Sequence, residues 1–492
     1  MPIDEATGLP VADAMQFGPL ILAVSIALIA AAASVHVILT KRNVSSAVAW
    51  VGLIWLSPLL GAGLYALLGI NRIQRRASEL RSGTPRFRGT RERALPAERL
   101  IREEMPAEYH YLADVGELAD RAVERPVLSG NRVTPLVNGD EAFPAMLAAI
   151  EGAERSVTLA TYIFDNDAAG RAFHHALRSA VRRGVEVRVL IDDVGARYSL
   201  PPMTLALRRS RVPVGRFMPA LMHWRMPYFN LRNHRKILVV DGRIGFTGGM
   251  NIRVGAWHSK HPTHPIRDLH FRMEGPVVAE MQEVFAEDWA FTTRELLQGE
   301  SWFPALKPCG PTLARGISDG PDVDFDKLPT IILGALTSAR SHVFIQTPYF
   351  IPDPTLTAVL GLAAMRGVEV SILIPEKNNL VLVQWASAAH WGPLLERGCR
   401  IHLAPSPFDH SKMMLVDGAW ALVGSANLDP RSLQLNFEFN VECYDPALAA
   451  QLELLYRERR AAAREISLVE VTSRPLGVRL RDGVARLASP FL

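Results

Sequence analysis

The stretch RRGVEVRVLID, residues 182–192, returns later in the chain as MRGVEVSILIP, residues 365–375. Within it VRVLI and VSILI are β-branched, apolar and free of polar alternation, which predicts strands buried on both faces. Each copy follows a helix-like segment, and each of those follows an extended one, SVTLATYIF (156–164) and HVFIQTPYF (342–350). Two β-α-β units result. They predict an α/β protein built as a duplicated sandwich of two pseudo-symmetric halves, divided around residue 320. A single long doubly wound sheet would leave the duplication unexplained.

A second matched pair carries the chemistry. HRKILVVDGRIGFTGGMN (234–251) is echoed by HSKMMLVDGAWALVGSAN (410–427) with the same internal spacing of His, Lys, Asp, Gly and Asn. A lone H-x-K is commonplace on a surface, but two full copies in register are specific. Asp241-Gly242 and Asp417-Gly418 each separate two extended apolar runs, a hairpin signal. Folding about those turns brings Gly249 opposite His234 and Ser425 opposite His410, small residues that let a phosphate approach the backbone. His and Lys, two residues apart, share a strand face, and Asn251 and Asn427 return to the same end. Asp241 and Asp417 lie five extended residues beyond their lysines, roughly 16 Å away. Spacing therefore makes them turn residues that cannot form a triad with the histidine of their own hairpin.

The rest of the composition sets the frame. With 492 residues, 49% hydrophobic and 21% charged, the chain has material for two sizeable folded parts and is neither low-complexity nor collagen-like. Three widely spaced cysteines, Cys309, Cys399 and Cys443, form neither a disulfide framework nor a cysteine zinc site and suit a reducing compartment. A formal charge of +4 is too small to imply a nucleic-acid partner.

The N-terminus holds two charge-free stretches, Ala14 to Thr40 and Asn43 to Asn71, separated by Lys41-Arg42. Each exceeds the roughly 20 residues that span a bilayer as a helix. The acids Asp4, Glu5 and Asp13 and the length of the first run argue against a cleaved secretory signal. Pro58, Gly61 and Gly63 leave the second stretch either kinked or re-entrant. Arginines 72, 75, 76, 81, 86, 88, 91 and 93 follow, against only Glu79 and Glu92. The positive-inside bias puts both chain ends and the large C-terminal part in the cytoplasm, and the run reads as a solvated linker attracted to anionic headgroups. The predicted organisation is a membrane-embedded helical hairpin at 1–75, a basic juxtamembrane linker at 76–125, a first half at 126–320 and a second at 321–492. A chain beginning near Ala97 is expected to fold without the anchor.

These features resemble the phospholipase D superfamily, whose duplicated H-x-K-x4-D signature is present twice without departure. More narrowly, NLRNHRKILVVDG (230–242), PYFIPD (348–353), GSANLDPRSLQLNFEFN (424–440) and WLSPLLGAGLYALLGINR (55–72) resemble bacterial cardiolipin synthases of that type, from about residue 16 to the C-terminus. The resemblance implies a phospholipase D-type sandwich in the inner membrane with its catalytic part on the cytoplasmic side. It implies transfer of a phosphatidyl group between two phosphatidylglycerol molecules through a phosphohistidine, with no metal or other cofactor. Partners would be phosphatidylglycerol and anionic membrane lipids, with no nucleic acid; nothing in the pattern sets an oligomeric state.

Attack on a phosphodiester needs a nucleophile, an acid for the departing alkoxide and donors for the phosphoryl oxygens. By resemblance His234 is the nucleophile and His410 the acid and later base, with the reverse assignment open. Lys236, Lys412, Asn251 and Asn427 would grip the phosphate, while Asp241 and Asp417 complete the catalytic signature. Asp268 in IRDLHF and Glu438 in NFEFN stand at family-like places and are expected to orient the histidines, with service of each to the other half's histidine left open. A lipid hydrolase or nuclease would share these residues; the membrane stretches argue against the nuclease, and the two intact motifs against an inert scaffold.

Three further features stand apart. His258, His261 and His264 have a metal-like spacing, but Pro262 and Pro265 break it into an irregular loop. FMPALMHWRMPYF (217–229) suits either core or a lipid-facing lip. From Arg474 to Leu492, Leu476, Leu480, Val484, Leu487 and Phe491 recur near the helical period with arginines between, predicting an amphipathic tail that packs on the domain or lies at an interface.

Overall fold

A computed structural model describes residues 11–41, 43–69, 81, 83, 86–87, 89–90, 95–219 and 231–492. Outside them lie Asp4 and Glu5, the arginines at 72, 75, 76, 88, 91 and 93, and the 220–229 part of the apolar, basic stretch. The chain divides into two compact units, residues 1–76 and 77–492.

In the first unit Val11–Thr40 is one helix, of which Gly18–Thr40, 23 residues, is long and apolar enough to cross a membrane. The second stretch is broken. Val44–Leu56, capped by the Asn43 side chain on the Ser46 amide, ends at Ser57, and Pro58–Leu64 starts a new helix that runs into a single wide turn, Tyr65–Gly69. Proline lacks an N–H and suits a first helical turn, so Pro58 restarts the helix. Gly61 then lies where a Cβ would come within 2.5 Å of the Leu53 carbonyl, which holds the two pieces close. Thirteen residues rise only about 20 Å, short of the hydrocarbon thickness. Of the two stretches expected to be long enough to span, then, only the first does so as one helix. The pieces pack through Tyr65, whose hydroxyl is 2.7 Å from His36 Nδ1 and whose ring meets Trp50, beside Ala30, Val37 and Ile54.

The second unit is built on one sheet. The strands of its first half are β1 (Leu128–Val137), β2 (Ser156–Thr161), β3 (Glu186–Asp192), β4 (Val214–Phe217), β5 (Ile237–Val240), β6 (Ile244–Gly248) and β7 (Leu269–Glu274). Those of the second are β8 (Thr312–Asp319), β9 (His342–Gln346), β10 (Glu369–Pro375), β11 (Arg400–Ala404), β12 (Met413–Val416), β13 (Trp420–Gly424) and β14 (Asn436–Tyr444). Across the sheet they run β11-β10-β9-β12-β13-β14-β8-β1-β7-β6-β5-β2-β3-β4. Counted outward from the antiparallel junction of β1 and β8, where Leu128 faces Ala314, both halves have the same order. β2 and β3, like β9 and β10, pair in parallel across the helices Ala168–Arg182 and Pro354–Met365, as the repeated β-α-β units predict.

Two boundaries move. β8 takes the place in the second half that β1 takes in the first, so the division falls before Thr312 and not at 320. The linker expected at 76–125 is folded from Ala97 onward: the helices Ala97–Glu104 and Ala113–Ala122 bury Leu100, Ile101, Val115 and Ala119 with Leu313, Ile331 and Leu336 of the second half. Nor are the two described arginines of the basic run simply solvated. Arg81 bridges Asp288 (3.1 Å) and Asp322 (3.3 Å), its guanidinium stacked over Phe437, and Arg86 meets Asp324 at 3.0 Å. The halves also share a core, in which Met281, Val284 and Phe285 of helix Val277–Thr293 pack with Phe437, Phe439 and Val441.

Candidate active site

Each signature histidine is placed by a chain segment that crosses to the other half. Arg232–Asn233 forms a short parallel pairing with β14, and the next amide, His234 N–H, donates to the Phe437 carbonyl at 2.9 Å. Phe408–Asp409 pairs in parallel with Ile266–Arg267, and His410 N–H donates to the Arg267 carbonyl at 2.7 Å. Only beyond the histidines do β5 and β12 rejoin their own half.

The side chains repeat the exchange. Nδ1 of His234 lies 2.9 and 3.0 Å from the two carboxylate oxygens of Glu438, on β14. Nδ1 of His410 lies 2.9 Å from Oδ2 of Asp268, the residue before β7. A carboxylate can only accept, so each Nδ1 carries the proton and each Nε2 keeps its lone pair when the ring is neutral. The acids are themselves held. Glu438 accepts from Ser425 Oγ at 2.5 Å and from Asn436 Nδ2 at 3.1 Å, and Asp268 accepts the Leu269 amide at 2.8 Å.

Gly249 and Ser425 therefore sit differently from the phosphate-facing role expected of them. A Cβ on Gly249 would come within 2.3 Å of the Asp268 carboxylate, and the Ser425 hydroxyl, fully buried, is spent on Glu438. These small residues make room for the carboxylates of Asp268 and Glu438. Asp241 and Asp417, counted in the catalytic signature, lie at the far turns. Asp241 accepts the amides of Glu154 (3.0 Å), Arg155 (2.7 Å) and Ser156 (2.9 Å); Asp417 accepts those of Arg340, Ser341 and His342 and the Tyr111 hydroxyl. Both adopt positive φ, +53° and +52°, ahead of glycines at +61° and +66°, so each carboxylate ties a hairpin turn to the start of β2 or β9.

His234, His410, Asn251 and Asn427 line one cavity of about 430 Å³. Asn251 Oδ1 accepts the Ile163 amide, and Asn427 Nδ2 donates to Ser432 Oγ while its buried Oδ1 has no hydrogen-bond partner. Lys236 and Lys412 are buried, each ammonium donating to the carbonyl of the histidine two residues earlier, at 2.6 and 2.5 Å. Burial pulls both lysines down, to about 7 for Lys236, which Lys412 also repels, and to about 8 for Lys412, against the attraction of Glu438 and Asp268. Burial also lowers His234, opposed by Glu438, and burial with Lys412 lowers His410 to about 4. Burial thus favours the neutral form of both rings and of both lysines, and an anion bound beside them would favour the charged forms.

Sequence reasoning missed part of this wall. Tyr162 and Tyr349 line the cavity and meet the histidine rings edge to face, with centroids 5.3 Å (His234) and 6.2 Å (His410) apart. The signal was present, because each tyrosine lies within two residues of the terminal Phe of the segments 156–164 and 342–350. Arg232, Arg253 and Arg431 add positive charge to the lining, and Asp429, pushed up to about 7 by burial, lies among them. Arg235, between His234 and Lys236, points the other way: it makes two 2.7 Å contacts with Asp288 and donates to Ser318 Oγ and the Glu438 carbonyl. Among the described residues no group of three or more His, Cys, Asp or Glu gathers as a metal site, and His258 instead bonds the Ile266 carbonyl. All three cysteines are free thiols.

A family model described as cardiolipin synthase, PLD-like domain, matches residues 146–289 and 332–458, and one described as phospholipase D-nuclease N-terminal matches 28–69. This chain belongs to the cardiolipin synthase, PLD-like family. It is 33% identical to cardiolipin synthase A of Pseudomonas fluorescens, covering 97% of this chain and 99% of that one. It is 29% identical to the major cardiolipin synthase ClsA of Bacillus subtilis, covering 92% and 95%. The fold also matches the crystal structure of phosphatidylserine synthase from Haemophilus influenzae, with a TM-score of 0.60 at 16% identity over 77% of this chain and 100% of that one. The chain is thus a phosphatidyltransferase of the family, membrane-associated and acting on phospholipid.

Proposed function

We propose that this enzyme joins two phosphatidylglycerol molecules into cardiolipin and glycerol through a phosphohistidine on His234. One observation carries the reading: each half lends an acid to the other half's histidine, so that both rings line one cavity with Nδ1 protonated. Nε2 of His234 attacks the phosphorus of the first lipid, and the bond from phosphorus to the glycerol headgroup oxygen breaks. His410, protonated when the phosphodiester anion is bound, gives its proton to that oxygen. It then takes the proton of a hydroxyl on the second lipid, whose oxygen attacks phosphorus as the P–N bond breaks. Lys236, Lys412, Asn251 and Asn427 bind the phosphoryl oxygens. Exchanging one phosphodiester for another is nearly neutral, so the outcome depends on keeping water from the phosphoenzyme.

The catalytic unit faces the cytoplasm in this proposal. Support comes from the contrast between Lys41-Arg42 in the loop after the first helix and the arginine run that follows the second stretch. The two stretches 126–311 and 312–492 act as the halves, each incomplete without the other.

The test incubates purified enzyme with phosphatidylglycerol alone and identifies products by mass spectrometry, then quenches a radiolabelled reaction for acid-labile, base-stable phosphate on protein. Cardiolipin, glycerol and a label absent from His234→Ala are expected. Phosphatidic acid as the dominant product would make the enzyme a hydrolase.

A further inference from the structure

We propose that the helix Leu476–Leu487 is an interfacial docking helix that lies on an anionic lipid bilayer and seats the cavity mouth at headgroup height. The inference rests on the lipid-transferase reading and adds the surface through which that reading operates. Leu476, Leu480, Val484 and Leu487 are 70%, 60%, 66% and 77% exposed. At 100° per residue they fall on one side of the helix. The opposite side holds Asp482 and Ala485, both buried. The helix is thus attached to the protein by its polar and small face, with its aliphatic face turned outward, the inverse of an ordinary surface helix.

That attachment is specific. Arg474 donates to Asp482 at 2.9 Å and to the Ala388 carbonyl at 3.0 Å, and Arg481 pairs with Asp482 at 2.7 Å while lying over the Trp385 ring. The one acid of the helix is thereby buried and neutralised. Arg479 and Arg486 are exposed along one flank of the aliphatic face and Arg481 along the other. An apolar stripe with Arg479 and Arg486 on one flank and Arg481 on the other, on a helix with no exposed acid, matches acyl chains under anionic headgroups better than it matches another protein surface.

The position fits as well. The helix packs on Val381–Ala388 through Ala485, Val383 and Ala386, and Leu380 and Val383 belong to the cavity wall. Leu380, Val381 and Leu382 are themselves exposed, in the loop and helix that follow β10. At the equivalent place in the first half, after β3, Tyr198 lines the cavity and is exposed, and Leu200 is almost wholly so. Loops at the matching ends of β3 and β10 thus both carry apolar side chains to the rim, and the helix extends that rim on one side.

The experiment uses the full-length protein in phosphatidylglycerol vesicles and, separately, with dihexanoylphosphatidylglycerol kept below its micelle concentration. Leu480→Gln/Val484→Gln/Leu487→Gln should lower vesicle turnover about tenfold and leave monomer turnover within about twofold. Arg479→Glu/Arg486→Glu should do the same, with a loss that shrinks as salt rises. Leu454→Gln, an exposed leucine on helix Pro446–Ala461, should change neither. A bimane on Leu480→Cys, in a Cys309→Ser background, should shift to the blue on reconstitution and be quenched by spin-labelled lipid. Unchanged vesicle turnover in the triple variant, an unshifted probe, or a triple variant that differs from the parent only in self-association by light scattering would each overturn the proposal. Absence of transfer by the unsubstituted enzyme on both substrates would instead overturn the transferase reading.

Discussion

Glu438→Gln is the sharpest test of the mechanism, because it keeps the shape of the side chain and reverses what it offers to His234. The carboxylate accepts from three donors, Nδ1 of His234, Ser425 Oγ and Asn436 Nδ2, and is also attracted by the charge of Lys236. These interactions, led by His234, hold it below the usual carboxylate range despite complete burial. Glutamine retains one acceptor oxygen, for which Ser425 at 2.5 Å competes with the histidine. Losing the charge-assisted bond costs about 1.5–3 kcal/mol, or roughly one to two powers of ten in rate. If the amide instead presents N–H to Nδ1, the proton moves to Nε2 and the nucleophilic lone pair is gone, an effect of about 10⁴ where it has been measured in a histidine triad. A fall of about 10³ in kcat is expected, with circular dichroism unchanged.

The matching acid-to-amide substitutions, Glu438→Gln and Asp268→Asn, separate the two histidines. With a phosphatidyl ester of p-nitrophenol, the leaving group needs no acid, so Asp268→Asn should still release about one equivalent of nitrophenol in a burst and then stall at the phosphoenzyme. Glu438→Gln should show no burst. The reverse pattern would make His410 the nucleophile. Activity of Glu438→Gln within about tenfold of the parent would refute the orienting role altogether.

Other outcomes follow from the same geometry. The free enzyme has Lys236 near 7 and Lys412 near 8, so kcat/KM should fall above neutral pH, whereas kcat, measured with a phosphodiester bound beside the ammonium groups, should hold to higher pH; coincident alkaline limbs would contradict the phosphate-gripping role. Asp417→Asn should lower stability by about 2 kcal/mol in urea titration while the folded fraction keeps its turnover, since the carboxylate ties three backbone amides and Tyr111. The Asp417 pKa is depressed in the fold, so its contribution is complete above the unfolded value near 3.8 and is lost as pH falls through the lower folded value; an acid-unfolding midpoint unmoved by Asp417→Asn would refute this. A chain beginning at Ala97, expected from sequence to fold freely, should be less stable than one beginning at Ala77 by about 3–5 kcal/mol, because Asp288, Asp322 and Asp324 lose Arg81 and Arg86; equal denaturant midpoints would count against it.

What could be read in advance follows the range of the interaction that encodes it. The repeated strands, the Asp-Gly turns and the register of His, Lys and Asn are local patterns, and β2, β3, β5 and β6 with their second-half partners stand where those patterns put them. The misplaced boundary at 320 has a topological cause: β8 is joined in sequence to the end of the first half but pairs with β14, a relation fixed more than a hundred residues away. The juxtamembrane arginines are a similar case. Nothing near Arg81 in the chain reveals that Asp288 and Asp322 wait in the interior for a cation, and a basic run beside a membrane stretch ordinarily stays in water.

The same nonlocal pairing explains why the two halves, alike in backbone, have diverged around their histidines. Between His234 and Lys236 stands Arg235, held by Asp288 on the helix after β7, with Asn233 donating to the same carboxylate. Between His410 and Lys412 stands Ser411, which accepts from Arg459 on the helix after β14, and Arg459 also pairs with Asp409, the counterpart of Asn233. The charges have exchanged places across helix and strand, while each site keeps a neutralised pair beneath it. Only the first half's version reaches further, since Asp288 also binds Arg81 and Arg235 also donates to the Glu438 carbonyl at 3.0 Å. A continuous chain of ion pairs and hydrogen bonds thus runs from Arg81 through Asp288 and Arg235 to the backbone of Glu438, the acid paired with His234. The pseudo-symmetric scaffold supplies two equivalent histidines, and this one-sided charge network gives the two positions unequal surroundings, as the proposed division into one nucleophile and one acid requires.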